Sequence, residues 1–242
     1  MKQQGMVIPH EHGGWAMVIV PFTMGMMTGN PQWMHLFLFL AWFFLYMSSY
    51  SFLQMMKKNA NRHRFMKWGS IYSSIAILSL IPPLVSYPPI FFFGPLLLVF
   101  VSVNIWHVKH KIERALINNL CAIIIFSLGG AAAYLLGGGG WDRTMAMIVI
   151  YNVIYFMGTV FFVKSVFRER KNKRWIVYAQ IYHVLSVLIP MVLGNPWMMI
   201  GYVFPLVRSF ALAGKQIKPT KVGIIEIVGA IQFLLLAVIL NI

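Results

Sequence analysis

Apolar residues occupy this chain in long blocks, and polar residues are confined to the gaps between them. About 20 mainly apolar residues in a helix, rising 1.5 Å each, cross roughly 30 Å of hydrocarbon. Nine blocks approach that length: Trp15–Gly29, Trp33–Met56, Trp68–Tyr87, Pro89–His107, Ala115–Gly137, Thr144–Val166, Trp175–Leu193, Pro196–Gly214 and Lys221–Leu240. Helices are expected, because an isolated strand leaves its backbone groups unpaired in lipid. The first block is the shortest, so an eight-span arrangement with a re-entrant first segment is the alternative. The pattern predicts an all-α, polytopic membrane helical bundle of about nine transmembrane helices, forming one domain over residues 1–242.

The gaps alternate in character. Gly29-Asn30-Pro31, Ser86 to Pro89, Gly137 to Arg143 and Gly194-Asn195-Pro196 are turn segments. The other gaps are basic: Lys57, Lys58, Arg62, Arg64 and Lys67; then Lys109, Lys111 and Arg114; then Lys164, Arg168, Arg170, Lys171, Lys173 and Arg174; then Lys215, Lys218 and Lys221. With Lys2 these make eighteen of the 20 basic residues, all on one side. The positive-inside rule makes that side, and the N-terminus, cytoplasmic. Trp33, Trp68, Trp141, Trp175 and Trp197 fall at block ends, where indole rings anchor at headgroup depth.

Composition sharpens this picture. Hydrophobic residues make up 60% of the chain and charged residues 10%, with a formal net charge of +15. These values exclude an ordinary soluble domain and a disordered chain. Nucleic acid is not expected as a partner, because the basic runs are short and carry few stacking aromatics beyond Phe65, Phe167 and Trp175. Cys121, alone, forms no internal disulfide. His10, Glu11 and His12 interrupt the first apolar stretch, so a cleavable signal peptide is not expected. Acids are scarce: Glu11, Glu113, Asp142, Glu169 and Glu226 are all the chain has.

Candidate chemistry falls in four places. His10, Glu11 and His12 precede the first span; His12 is the acid–base candidate, Glu11 its orienting partner, and Trp15 the lining of an entry. The same cluster also reads as a helix-entry cap. His107, His110 and Glu113 would share one face if the fourth helix continued through them. Arg62, Lys164, Arg168 and Arg170 are candidate contacts for an anionic headgroup. Asn118, Asn119, His183, Arg208 and Glu226 lie inside spans, where polar groups are costly and face a bundle interior or a wet cavity. Arg208 precedes Lys215 by seven residues and Glu226 follows Lys221 by five, so both sit about 8–10 Å inside the basic face and are expected to pair. Tyr72, Asn118, Asn119, Lys164, His183, Arg208 and Glu226 share the cytoplasmic half, which predicts a polar cavity opening there.

The run Pro9-His10-Glu11-His12-Gly13-Gly14-Trp15-Ala16-Met17, followed by Pro21, resembles the opening motif of the YwiC-like family of bacterial membrane proteins. The chain is also distantly similar to the UbiA-type intramembrane prenyltransferases. That likeness implies nine spans, a cytoplasmic N-terminus, and ligand chemistry in the loops after spans two and six. Lys111-Ile112-Glu113-Arg114 leading to Asn118-Asn119 and Gly129-Gly130 carries it further. In those enzymes aspartate-rich motifs hold magnesium and a prenyl diphosphate. Here the corresponding stretches read Lys57-Lys58-Asn59-Ala60-Asn61-Arg62 and Lys164-Ser165-Val166-Phe167-Arg168-Glu169-Arg170, without aspartate. Magnesium needs hard oxygen ligands, so a magnesium–diphosphate site is not expected and no metal ligand is assigned.

The resulting expectation is a UbiA-like bundle in the bacterial cytoplasmic membrane. It would bind, or bind and process, an anionic lipid or isoprenoid-like ligand. A small-solute or ion transporter with Arg208, Glu226 and His183 as a relay is the alternative, and a non-catalytic assembly protein is another.

Overall fold

A computed structural model describes residues 5–9, 12–57 and 60–240, with the His12 side chain excepted. Nine α-helices form among these residues: α1 His12–Thr28, α2 Met34–Met55, α3 Arg62–Ser86, α4 Phe93–Lys109, α5 Leu116–Leu136, α6 Arg143–Val166, α7 Lys173–Val192, α8 Met199–Leu212 and α9 Pro219–Ile239. Single 3-10 turns at Pro88–Phe92 and Pro196–Met198 lead into α4 and α8.

Local chemistry sets the ends. The Asn61 side chain accepts from the Arg64 N–H, Asp142 from Met145 N–H at 3.0 Å, and Asn172 from Trp175 N–H, which caps α3, α6 and α7. The Met145 N–H also holds the Asp142 carboxyl below its ordinary range. These caps explain why α3 and α7 begin within their basic runs, ahead of Trp68 and Trp175. Hydropathy reports only the lipid-embedded part of a helix.

Among the described residues seven helical segments, counting the 3-10 turn with α4, are long and apolar enough to cross a membrane. Two apolar stretches are shorter: Gly13–Thr28 in α1, and Pro196–Leu212, which joins the second 3-10 turn to α8. Contacts between loops place the ends of α2 through α8 alternately at the two ends of the bundle. At the basic end, Lys57 Nζ meets Glu113 Oε2 at 2.7 Å, Lys164 Nζ donates to the Arg114 carbonyl at 2.8 Å, and Gly214 N–H donates to the Ser165 carbonyl at 3.2 Å. At the opposite end, Asn30 N–H donates to the Gly137 carbonyl at 2.9 Å, Arg143 reaches the Leu193 carbonyl, and Phe93 stacks on Trp141 with centroids 5.4 Å apart.

The centre is filled by α1, α5 and α6. The interior half of α5, from Ser127 to Leu136, is wholly buried. A β-carbon on Gly25 of α1 would stand 1.9 Å from the Gly130 carbonyl oxygen of α5. Glycine is therefore required for the two backbones to meet. His35 secures this crossing from α2, its Nε2 lying 2.9 Å from the Ala133 carbonyl. The other helices pack around this core, α2 with α3, α4 on α5, α7 and α8 beside α6, and α9 against α1 and α8.

Candidate anion-binding cleft at the basic face

Three loops converge at the basic end. A cleft of about 640 Å³ opens there, lined by Lys57, Lys111, Ile112, Glu113, Arg114, Ala115 and Arg168. Lys57 comes from the end of α2, residues 111–115 from the α4–α5 connection, and Arg168 from the turn after α6. The Lys57–Glu113 ion pair cancels the one carboxylate described there, leaving Lys111, Arg114 and Arg168 without a carboxylate partner among the described residues. Lys164, through its bond to the Arg114 carbonyl, brings a fourth, and its ammonium also lies 5.5 Å from the Trp175 ring centroid. Beneath the cleft, Asn118 Nδ2 donates to the Glu113 carbonyl at 2.7 Å, and its buried Oδ1 has no donor.

The backbone of the α4–α5 connection is unusual. Lys111 N–H donates to the Val108 carbonyl and Ile112 N–H to the His107 carbonyl, the paired bonds that close a helix with a left-handed residue. Such a residue is ordinarily glycine, as at Gly138, Gly194 and Gly214. Here it is Lys111, with φ 59°. A lysine in the left-handed region costs about 1 kcal/mol relative to glycine. The turn holds its side chain at the cleft.

This turn corrects one expectation. His107, His110 and Glu113 do not share a helix face, because α4 stops at Lys109. His107 Nδ1 and His110 Nδ1 each lie 2.8 Å from a carbonyl one turn back, and His110 packs against Trp106 at 4.3 Å. Glu113 alone of the three reaches the cleft.

The other expected site residues separate into groups. Arg168 lines the cleft, Lys164 and Asn118 border it, and half-buried Asn119 lies one position further along α5. Arg170 lies off the cleft, with its carbonyl toward Gly214. Arg62 lines a different cleft, of about 470 Å³, with Met55, Met56, His63 and Met66. Trp15 packs against Phe43 and Tyr46 at 5.7 and 5.6 Å. His10, Glu11 and the His12 side chain lie outside the described residues. Tyr72 serves a structural contact, its hydroxyl donating to the Val7 carbonyl at 3.0 Å.

Arg208 and Glu226 pair as expected, on α8 and α9. The guanidinium also lies 4.4 Å from the centroid of Phe162. Around the pair, Arg208 Nε and Nη2, Glu226 Oε2, Ser209 Oγ and the Tyr155 hydroxyl are buried without partners. The Thr159 hydroxyl lies beside the Glu226 carboxylate without completing a hydrogen bond to it. His183 uses Nδ1 on the Ala179 carbonyl at 2.7 Å and leaves Nε2 unpaired against Gly158. An apolar layer of Phe162, Val166 and Val222, backed by Leu212 and Ile217, packs next to this cluster. Apart from Tyr72, the polar groups expected in one cavity thus divide between an open cleft and a buried cluster, and Arg168 and Arg208 belong to different ones.

The donors do not fit a magnesium–diphosphate centre. Among the described residues Glu113 is the sole carboxylate lining the cleft, and Lys57 engages it. Glu169, in the loop after α6, accepts from Asn172 Nδ2 at 3.0 Å. Among the described residues no three His, Cys, Asp or Glu side chains cluster as metal ligands. Lys57, Lys111 and Arg114 line the cleft, whereas the sequence singles out Arg62, Lys164, Arg168 and Arg170 for headgroup contact and holds Lys57 only within the basic stretch after the second span. The usable signal was the shortness of the α4–α5 connection, which keeps Lys111 and Arg114 over the bundle.

Together these features define a multi-pass helical membrane protein with one strongly basic face. The YwiC-like protein family matches residues 8–134, and the chain belongs to that family. It is 38% identical over 234 residues to an uncharacterised protein of Haemophilus influenzae, covering 96% of this chain and 98% of that protein. It is 33% identical over 228 residues to the uncharacterised protein YwiC of Bacillus subtilis, covering 94% and 95%. No solved structure matches the chain.

Proposed function

We propose that this protein sits in the bacterial cytoplasmic membrane and binds the anionic headgroup of a lipid or isoprenoid-like molecule at its cytoplasmic face. The observation that carries this reading is the cleft itself. Three cations without a carboxylate partner, Lys111, Arg114 and Arg168, border one concave site at headgroup depth. Guanidinium groups bind phosphate oxygens in a fork, and lysine adds a mobile point charge. With Lys57 engaging Glu113, the one carboxylate described at the cleft, the basic side chains themselves neutralise the ligand.

Native mass spectrometry of protein from nanodiscs containing phosphatidylcholine and phosphatidic acid tests this. The wild type is expected to retain phosphatidic acid selectively. Arg114→Gln with Arg168→Gln should reduce that retention at least about tenfold, because each lost charge-assisted bond is worth about 1.5–3 kcal/mol. Equal retention of the two lipids, or no change in the double variant, rejects the reading.

The buried Arg208–Glu226–His183 cluster favours a second reading, solute or ion transport, because unpaired polar groups at membrane depth often mark a path. Flux of labelled solutes into proteoliposomes, abolished by Glu226→Gln, would support it.

A further inference from the structure

The second surface cleft has a different chemistry. Three of its five lining residues are methionines, Met55 and Met56 at the end of α2 and Met66 in α3, with Arg62 and His63 at its border. Methionine is unbranched, flexible and polarisable, so a methionine wall moulds itself to an apolar guest of no fixed shape. Consecutive residues of the chain line the two clefts. Met56 lines the first and Lys57 the second, and consecutive α-carbons are about 3.8 Å apart. The turn ending α2 fixes both residues, since Met56 N–H donates to the Leu53 carbonyl and Lys57 N–H to the Gln54 carbonyl at 3.1 Å. One side of this junction is cationic and the other apolar.

We propose that the two clefts form a single bipartite site for an anionic amphiphile with a flexible chain, with the head among Lys111, Arg114 and Arg168 and the first part of the chain against Met55, Met56 and Met66. This rests on the headgroup reading above and adds the chain-binding half. The occupant follows from charge and shape. The basic cleft requires an anion, and the adjoining methionines exclude a purely polar one from the extended site. Arg62 and His63 add polar groups to the lining of the methionine cleft.

The test is photolabelling in nanodiscs with a dodecyl phosphate carrying a diazirine on its chain, against a dodecylphosphocholine carrying the same group. The phosphate probe should label peptides containing Met55, Met56 or Met66, and unlabelled dodecyl phosphate should compete. The phosphocholine probe should label lipid-facing helices diffusely. In Arg114→Gln with Arg168→Gln the methionine labelling should be lost, while a Met55→Ser, Met66→Ser variant should lose chain labelling and weaken phosphatidic acid retention by less than the arginine pair does. If phosphatidic acid is retained but the probe's chain labels the same peptides as the phosphocholine control, the bipartite site is wrong and the headgroup cleft stands. If neither phosphatidic acid nor the phosphate probe is retained, both fall. Methionine labelling unaffected by the arginine substitutions would also overturn the coupling of the two halves.

Discussion

Lys57 and Glu113 meet at the open cleft with 37% and 34% of their side chains exposed, whereas Arg208 and Glu226 meet inside α6–α9 with 2% and 10% exposed. The same two charge types do different things in these settings. At the cleft, water screens the pair, so each partner tolerates loss of the other, and the pair mainly trims the local charge. Inside the bundle, neither charge can be left alone. Several kcal/mol of solvation are lost per buried ion, and mutual attraction recovers this only while both partners are present. The unpaired Arg208 Nε and Nη2 and Glu226 Oε2 show that even the intact pair is incompletely satisfied.

The largest expected effect therefore comes from breaking the buried pair one side at a time. Arg208→Leu or Glu226→Leu should each destabilise the protein by about 3–5 kcal/mol, because each leaves an uncompensated charge among Phe162, Tyr155 and lipid. The double Leu variant should recover most of that loss. Unfolding in detergent, followed for all four proteins of the cycle, measures it. Losses that add would show that the two residues act separately and would remove the contrast with the exposed pair.

How far the sequence foretold these regions depends on whether the signal is local. The Arg208–Glu226 pair was legible because helix rise converts residue offsets from Lys215 and Lys221 directly into depth. The helices were legible because a span must be a long apolar run, and the basic end was legible because Lys and Arg gather in alternate connections. The central place of α1 was not, since its burial depends on Gly25 meeting Gly130, more than a hundred positions away. The cleft was not legible as a unit either. Lys57, Lys111 and Arg168 become neighbours only when three loops close over one end of the bundle. The spacing of His107, His110 and Glu113 suggested a continuous face, because nothing in a lysine's propensity announces that Lys111 takes the left-handed turn.

That turn supplies the next test. Lys111→Gly should relieve the left-handed strain and stabilise the protein by about 1 kcal/mol. It also deletes a cleft cation, so phosphatidic acid retention should fall. Stability and binding moving in opposite directions would mark Lys111 as a residue kept for its charge. A variant that is both less stable and unchanged in retention would mean that Lys111 serves the fold and not the cleft.

The smallest effect on stability belongs to Glu113→Gln. An exposed pair contributes about 0–1 kcal/mol, so unfolding should shift little. Binding should respond in the other direction from the arginine substitutions. Removing the carboxylate frees Lys57 and raises the local positive charge by one, so phosphatidic acid retention should increase severalfold. Salt sharpens the comparison: exposed charges more than about 10 Å apart are largely screened at 0.1 M, while a pair shielded by protein and lipid is not. Raising ionic strength should therefore erase most of the Glu113→Gln gain and leave the Glu226→Leu instability in place. If Glu113→Gln instead destabilised the protein as strongly as Glu226→Leu, the cleft pair would be a structural clamp on the three loops, and charge trimming would no longer account for its presence.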